Sequence, residues 1–313
     1  MTENKTSLKH RQSILKVLAY FDLFNYPVSK SEIIFFLDQK NISVNEITDV
    51  INELIERKCI FRHGEFYSIQ NNFQVAERRI AGNINAEKLL PVGKKVSKFL
   101  YQFPFARGIG ISGSLSKNFA LENDDIDYFI ITKANRLWIS RTLMHLLKKF
   151  SFISNKQHLY CMNYFIDEHA MEIEERNVFT AMELITLLPV CGNGTMDKFF
   201  QSNNWVGTYY PNYKLRTQNI KTFAHDYFLK RTTEFLLNNK FGDWLDNYLM
   251  KITTKRWQKK EQQQILNSKG NRMGLSTSKH FAKPNPVFFQ QKIVMRYINK
   301  LNEHAEKWNK EFD

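Results

Sequence analysis

Two carboxylates one residue apart, a short distance after a small-residue turn, are the groups in this 313-residue chain best placed to do chemistry. The run Ile111-Ser112-Gly113-Ser114 is followed, after the ten residues Leu115 to Asp124, by Asp125-Ile126-Asp127. If Asp125 to Thr132 forms a strand, side chains alternate across it, so Asp125 and Asp127 share a face about 7 Å apart while Ile126 turns to the other. Paired carboxylates suit hard divalent cations, which take oxygen ligands. Gly113 and Ser114 let backbone N–H groups and a hydroxyl approach phosphate oxygens without an obstructing Cβ. Ser116 and Lys117 follow closely enough to contact the same anion.

The elements that must hold these groups read as an alternating α/β pattern. Arg107 to Ser112 and Asp125 to Thr132 have strand character, Asn135 is expected to cap a helix running through Phe150, and His158 to Ile166 reads as a third strand. The third strand carries Asn163 at its centre and Asp167 at its end. Phe179, Met182, Ile185 and Leu188 then mark an amphipathic helix ending at Pro189. From there to Asp313 the chain reads mostly helical, interrupted between Asn267 and Pro286 by Gly270, Gly274, Pro284 and Pro286 together with Lys269, Arg272, Lys279 and Lys283.

Upstream lies a separate unit. Ile14, Val17, Leu18 and Phe21 give a helical stripe stopped by Asn25-Tyr26-Pro27. Ser29 with Glu32, and Ser43 with Glu46, have capping-box spacing and open two further helices. Cys59 to Arg62 and Glu65 to Ile69 then form two short strands about a turn at His63-Gly64. Three helices and a hairpin resemble a winged helix-turn-helix. A helical connector from Gln74 to Phe103, with a break expected at Pro91-Val92-Gly93, leads onward. The expected organisation is α+β and multidomain: residues 1–75 winged-helix-like, 76–104 connector, 105–190 the α/β domain, and 191–313 a basic, mostly helical region.

Composition narrows the function classes. No apolar stretch approaches the roughly 18–20 residues that span a bilayer, and Met1-Thr2-Glu3-Asn4-Lys5 lacks an apolar signal core, so a cytoplasmic protein without membrane contact is expected. Cys59, Cys161 and Cys191 are isolated and read as packed thiols. The net charge is +14, with 45 Lys+Arg against 31 Asp+Glu. Between residues 251 and 300 there are twelve Lys/Arg and one Glu, a field that attracts polyanions. Trp257 and Phe281 are interleaved there as stacking surfaces. His158 and His169 with Cys161 have no tight metal-ligand spacing.

The Gly-Ser turn, the ten-residue spacer and Asp125-Ile126-Asp127 together resemble the nucleotidyltransferase superfamily of DNA polymerase β. The wider run Asp124 to Asp127, Arg136-Leu137-Trp138 and Asn163-Tyr164-Phe165 resembles a bacterial branch of that superfamily carrying an N-terminal winged helix. The resemblance implies a metal-dependent transferase. Asp125 and Asp127 would hold Mg2+ or Mn2+, while Gly113, Ser114, Ser116 and Lys117 would bind a nucleoside triphosphate. The acceptor would be RNA, a protein side chain or a small molecule. The family places a third carboxylate on a neighbouring strand; here Asp167 is the candidate, with Glu172 and Glu174 behind it. The C-terminal region resembles, in position, a helical lobe closing over the nucleotide, with Lys251, Lys255 and Arg256 near phosphates. The alternative is a nucleotide-sensing or inactive regulator whose winged helix makes protein or nucleic-acid contacts.

The segment in the position of a recognition helix, Ser43 to Glu56, carries Glu46, Asp49, Glu53 and Glu56 and no basic residue. Such a face is repelled by closely spaced phosphates, and the unit is expected to pack on the transferase lobe or a protein partner. Fluorescence anisotropy of the whole chain with duplex DNA at physiological salt should therefore reveal no sub-micromolar binding that depends on this segment. Binding lost on substituting its exposed residues would assign it the recognition role.

Overall fold

The computed structural model describes residues 2–122, 124–214, 227–264, 266, 272–286 and 288–312. Met1, Asn267, Lys269, Gly270 and Asp313, named above, lie outside them. The chain begins with α1 (Thr2–Asp22), β1 (Val28–Ser29), α2 (Lys30–Phe36), α3 (Val44–Glu56), β2 (Phe61–His63) and β3 (Phe66–Ser68). Both capping boxes form: the Glu32 and Glu46 N–H groups donate to the Ser29 and Ser43 hydroxyls, and each carboxylate accepts from the serine's own N–H. The strands make an antiparallel sheet in the order β1-β3-β2. Ile47, Val50, Ile51 and Leu54 of α3 are buried, leaving its acidic face outward.

α4 (Gln74–Leu100) runs unbroken through Pro91, contrary to the expected break. A helix tolerates an internal proline when packing offsets the lost hydrogen bond. Here Gly93 lies against the Ile111, Ile126 and Leu115 side chains, seating α4 directly behind the motif. Next come β4 (Ala106–Ile111), a 3-10 turn (Leu115–Lys117), β5 (Asp127–Thr132), α5 (Leu137–Ser151), β6 (Cys161–Asp167), α6 (Val178–Thr186), β7 (Leu188–Cys191) and α7 (Asn193–Ser202). The chain finishes with α8 (Phe228–Leu237), α9 (Lys240–Gln262), β8 (Met273–Thr277), β9 (Phe281–Pro286) and α10 (Phe289–Phe312).

Six strands form the central sheet in the order β7-β4-β5-β6-β9-β8. β5 and β6 are parallel, joined by α5 as crossover, and the other described pairs are antiparallel. Phe129, Ile131 and Ile166 face α7 and the N-terminal unit, whereas Tyr128, Ile130 and Phe165 face α4 and α5 through Leu100, Trp138 and Met144.

Three expectations are corrected. Leu188-Pro189-Val190-Cys191 ends no helix; it is a fully buried strand whose proline is tolerated because β7 lies at the sheet edge. The Gly/Pro-rich interruption in the C-terminal region is the β8–β9 hairpin, which pairs with β6 and draws residues beyond 191 into the same sheet. Asn135 is left-handed, with φ 58°, and does not cap α5. That helix start is held by Asp246 of α9, whose Oδ1 accepts from the Ile139 N–H at 2.9 Å.

The N-terminal unit packs on the rest of the chain. Tyr26 donates to the Lys117 carbonyl at 2.7 Å, Arg79 of α4 pairs with Glu32 at 2.8 Å, and Tyr20 meets Tyr297 of α10 edge-on. Lys300 of α10 pairs with Asp22.

Asp246 is 1% exposed and its Oδ2 has no hydrogen-bond partner among the described residues. Burial pushes its carboxyl up from 3.8 to about 6, against the pull of the α5 N–H groups and Arg136. A raised folded pKa means the folded state holds the proton longer, so this group's contribution to stability declines as pH rises from about 4 to about 6. The change is at most ~3 kcal/mol. Asp246→Asn keeps an acceptor for Ile139 and cannot ionise. Its stability relative to wild type, measured by denaturant titration, should improve between pH 4 and pH 7; a pH-independent difference would remove this account.

Candidate active site

β4 and β5 are antiparallel through Ile111↔Tyr128, and the Ser112 N–H donates to the Asp127 carbonyl at 2.9 Å. The turn therefore begins beside the first residue of β5. Gly113 has φ 70°, and a Cβ there would lie 2.6 Å from Asp127 Oδ2. Glycine is required twice over, for the left-handed backbone and for the carboxylate's approach. Ser114 returns to the right-handed helical region. Consecutive left- and right-handed residues turn their N–H groups into one concavity. The Gly113 and Ser114 N–H groups have no acceptor among the described residues.

Ser116 and Lys117 brace this turn rather than line it. The Ser116 hydroxyl is buried and donates to the Gly113 carbonyl at 2.8 Å. Lys117 Nζ donates to the same carbonyl at 3.1 Å and pairs with Glu183 of α6 at 2.7 Å. Both were expected at an anion; the structure instead commits them to fixing the Gly113 peptide.

Asp127 is half-buried, and its Oδ1 accepts from the Asn163 amide of β6. Asn163 Oδ1 in turn accepts from the Cys161 thiol at 3.1 Å. Asp125 is exposed and precedes β5 rather than belonging to it. The buried Ile126 between them donates to the His158 carbonyl and accepts from the Cys161 N–H, so the segment stays in register with β6. Burial pushes the Cys161 thiol up to about 12; Asp127 and Asp125 push the same way, and Lys148 opposes them. The thiol thus feels the charge of two carboxylates and one ammonium. Lys148 went unforeseen, yet a signal exists: it ends the crossover helix that must return to the start of β6, and hence to Asp127.

The third carboxylate is not brought to this cluster. Asp127 is opposite Cys161 and Thr132 is opposite Asp167, so five residues of strand separate the two sites, about 17 Å. Asp167 is wholly buried and accepts from the Asn135 and His169 N–H groups and from His280 Nδ1, at 2.8, 2.9 and 2.9 Å. It ties the ends of β5 and β6 to the β8–β9 turn. Glu172 pairs with Arg176 in solvent. His169 packs against His280 at 5.3 Å between ring centres, away from His158 and Cys161. A cavity of about 530 Å3 lined by Glu168, Met171, Lys198, Gln201 and Ser202 contains none of the motif residues.

Among the described residues, no group of three or more His, Cys, Asp and Glu side chains gathers as a metal cluster; the motif supplies a pair. Comparison with protein-family models, curated proteins and solved structures finds no match to this chain.

Asp167→Asn should lower stability by about 2–3 kcal/mol in denaturant titration, because charge-assisted bonds to a fully buried carboxylate are lost. Nucleotide binding at the Asp127 end should be unchanged at temperatures where the variant is folded. Loss of binding by the folded variant would return Asp167 to the site.

Proposed function

We propose that the protein is a metal-dependent nucleotidyltransferase of the DNA polymerase β type, with a winged-helix-like N-terminal unit and the nucleotidyltransferase domain centred on β4 and β5. The observation that carries this reading is the Asp127 carboxylate, 2.6 Å from where a Cβ of Gly113 would stand, beside two N–H groups with no acceptor among the described residues. This supports an anion nest next to a cation ligand, the juxtaposition a metal–triphosphate complex requires.

The donor set fits Mg2+ or Mn2+. The half-buried Asp127, whose Oδ1 accepts from Asn163, and the exposed Asp125 supply two carboxylates. Magnesium binds through one or two carboxylates plus substrate phosphates, which suits a pair better than a closed cage. When bound, the ion neutralises phosphate charge. The Gly113 and Ser114 N–H groups and the Ser114 hydroxyl hold phosphate oxygens, and Lys148, whose charge is felt at Cys161, adds to the positive field. An acceptor hydroxyl attacks the α-phosphorus, its O–P bond forms as the bond to the bridging oxygen breaks, and pyrophosphate leaves. The hydroxyl proton passes to Asp125, the more exposed carboxylate. Among the described residues no helix is long and apolar enough to cross a membrane, and the proposed compartment is the cytoplasm.

A second reading has its own observation. Asn163 lies beside Asp127 on the neighbouring strand, where the family resemblance implies a carboxylate, and an amide cannot accept the proton. That favours a nucleotide-binding regulator that performs no transfer.

Incubation with each α-labelled nucleoside triphosphate, Mg2+ or Mn2+ and cell extract, then separation into RNA, protein and small-molecule fractions, distinguishes the two. Label in one fraction identifies the acceptor class, whereas calorimetric nucleotide binding without label transfer selects the regulator. Asp125→Ala and Asp127→Ala should each reduce transfer by about a thousandfold or more while the fold persists. Full activity in either purified variant refutes the metal role.

A further inference from the structure

The residues of α9 divide sharply by direction. At about 100° per residue, Phe241, Trp244, Tyr248, Lys251, Lys255 and Lys259 fall within an arc of about 80°. Asp243 and Asp246 point to other sides, where they meet Arg136 and the start of α5, and Thr254 meets Thr277 of β8. The three rings are 58%, 57% and 48% exposed and stacked on one another, Phe241–Trp244 at 5.7 Å and Trp244–Tyr248 at 5.4 Å with planes 7° apart. The three lysines that continue the stripe are exposed.

A merely solvated helix face mixes carboxylates with lysines at i, i+4 spacing, which stabilises the helix and avoids self-repulsion. This stripe holds no carboxylate along about 27 Å of helix. It also exposes three rings that burial would have favoured. Flat π-faces followed by cations with no ion-pair partner among the described residues match a chain of bases on a polyanionic backbone. We infer that the α9 stripe binds a single-stranded nucleic acid, its bases stacking on the Phe241–Trp244–Tyr248 ladder and its phosphates meeting Lys251, Lys255 and Lys259. The binding rests on α9 alone and stands apart from the transfer reading. Asp246 anchors α9 at the start of α5, and Thr254 meets Thr277, which lies level with Phe165 toward the Asp167 end of β6.

The test is fluorescence anisotropy of the whole chain with labelled single-stranded RNA and DNA, a duplex, and inorganic polyphosphate as competitor. Single strands should bind more tightly than the duplex and be displaced poorly by polyphosphate. Trp244→Ala combined with Tyr248→Ala should weaken single-strand binding roughly tenfold or more while preserving its salt slope. Lys251→Gln with Lys255→Gln should flatten that slope by about 1.4. All these side chains are exposed, and circular dichroism checks that the variants fold. Unchanged binding in the aromatic variant overturns the inference, as does equal competition by polyphosphate. So does sedimentation showing that the ladder, with the exposed Phe228, Leu229, Phe235 and Leu236 of α8, instead holds two copies of the chain together.

Discussion

The approach of Asp127 to Gly113 is the contact around which the central domain is arranged. A carboxylate oxygen close to a backbone Cα is tolerated only when that residue has no Cβ, and the left-handed φ of 70° imposes the same choice independently. The contact requires β4 to end in register with the start of β5, which the Ser112–Asp127 hydrogen bond secures. It also requires the turn not to collapse into the space the carboxylate occupies. The Ser116 hydroxyl and the Lys117 ammonium prevent this by holding the Gly113 carbonyl on the opposite side. Lys117 is anchored further out, its ammonium to Glu183 on α6 and its carbonyl to Tyr26 of the N-terminal unit. A residue near the start of the chain thus helps fix the geometry of a turn some ninety positions later.

The two ends of the sheet solve different electrostatic problems. At the far end Asp167 is fully buried and spends both oxygens on N–H donors, which is how a buried charge is tolerated. At the near end Asp127 has one oxygen engaged by Asn163, and Asp125 is open to water. An exposed carboxylate exchanges water for a ligand at little cost, whereas one buried and bonded on both oxygens does not. That contrast in exposure, more than the sequence pattern, separates the structural Asp167 from the candidate pair.

Much of this was legible in the residues, and the failures have physical causes. The Gly-Ser turn and Asp-x-Asp spacing pointed to the candidate site, and the close approach of Gly113 and Asp127 follows from the glycine that the turn needs. The capping boxes were legible because Ser29/Glu32 and Ser43/Glu46 act within one turn of helix. Pro91 misled because local propensity is outweighed by the packing of Gly93 against Ile111 and Ile126, a contact no window of sequence contains. Leu188 to Cys191 misled because a short apolar run has no period to distinguish strand from helix end. Lys283 was counted with a solvated basic run but is buried over the Tyr164 ring near Glu175, and Lys300 pairs with Asp22. Nothing in their neighbours announced either partner, since one lies more than a hundred residues away and the other nearly three hundred.

Withdrawing those two lysines sharpens the meaning of the net charge. A uniform excess of +14 would act as a diffuse field, raising encounter rates with any polyanion and selecting none. The acidic α3 is partly neutralised within the N-terminal unit, where Glu53 holds both Arg11 and Arg57. The cations of the α9 stripe have no such internal partner in the contacts among described residues. Charge is therefore partly consumed on α3 and left open on the arc of α9 that also exposes its aromatic rings. Rings confer stacking, which polyphosphate cannot exploit, and lysines confer attraction, which an uncharged stack does not need. Their coincidence on one arc of α9 converts an unspecific excess of charge into a surface with a direction and a preferred class of partner.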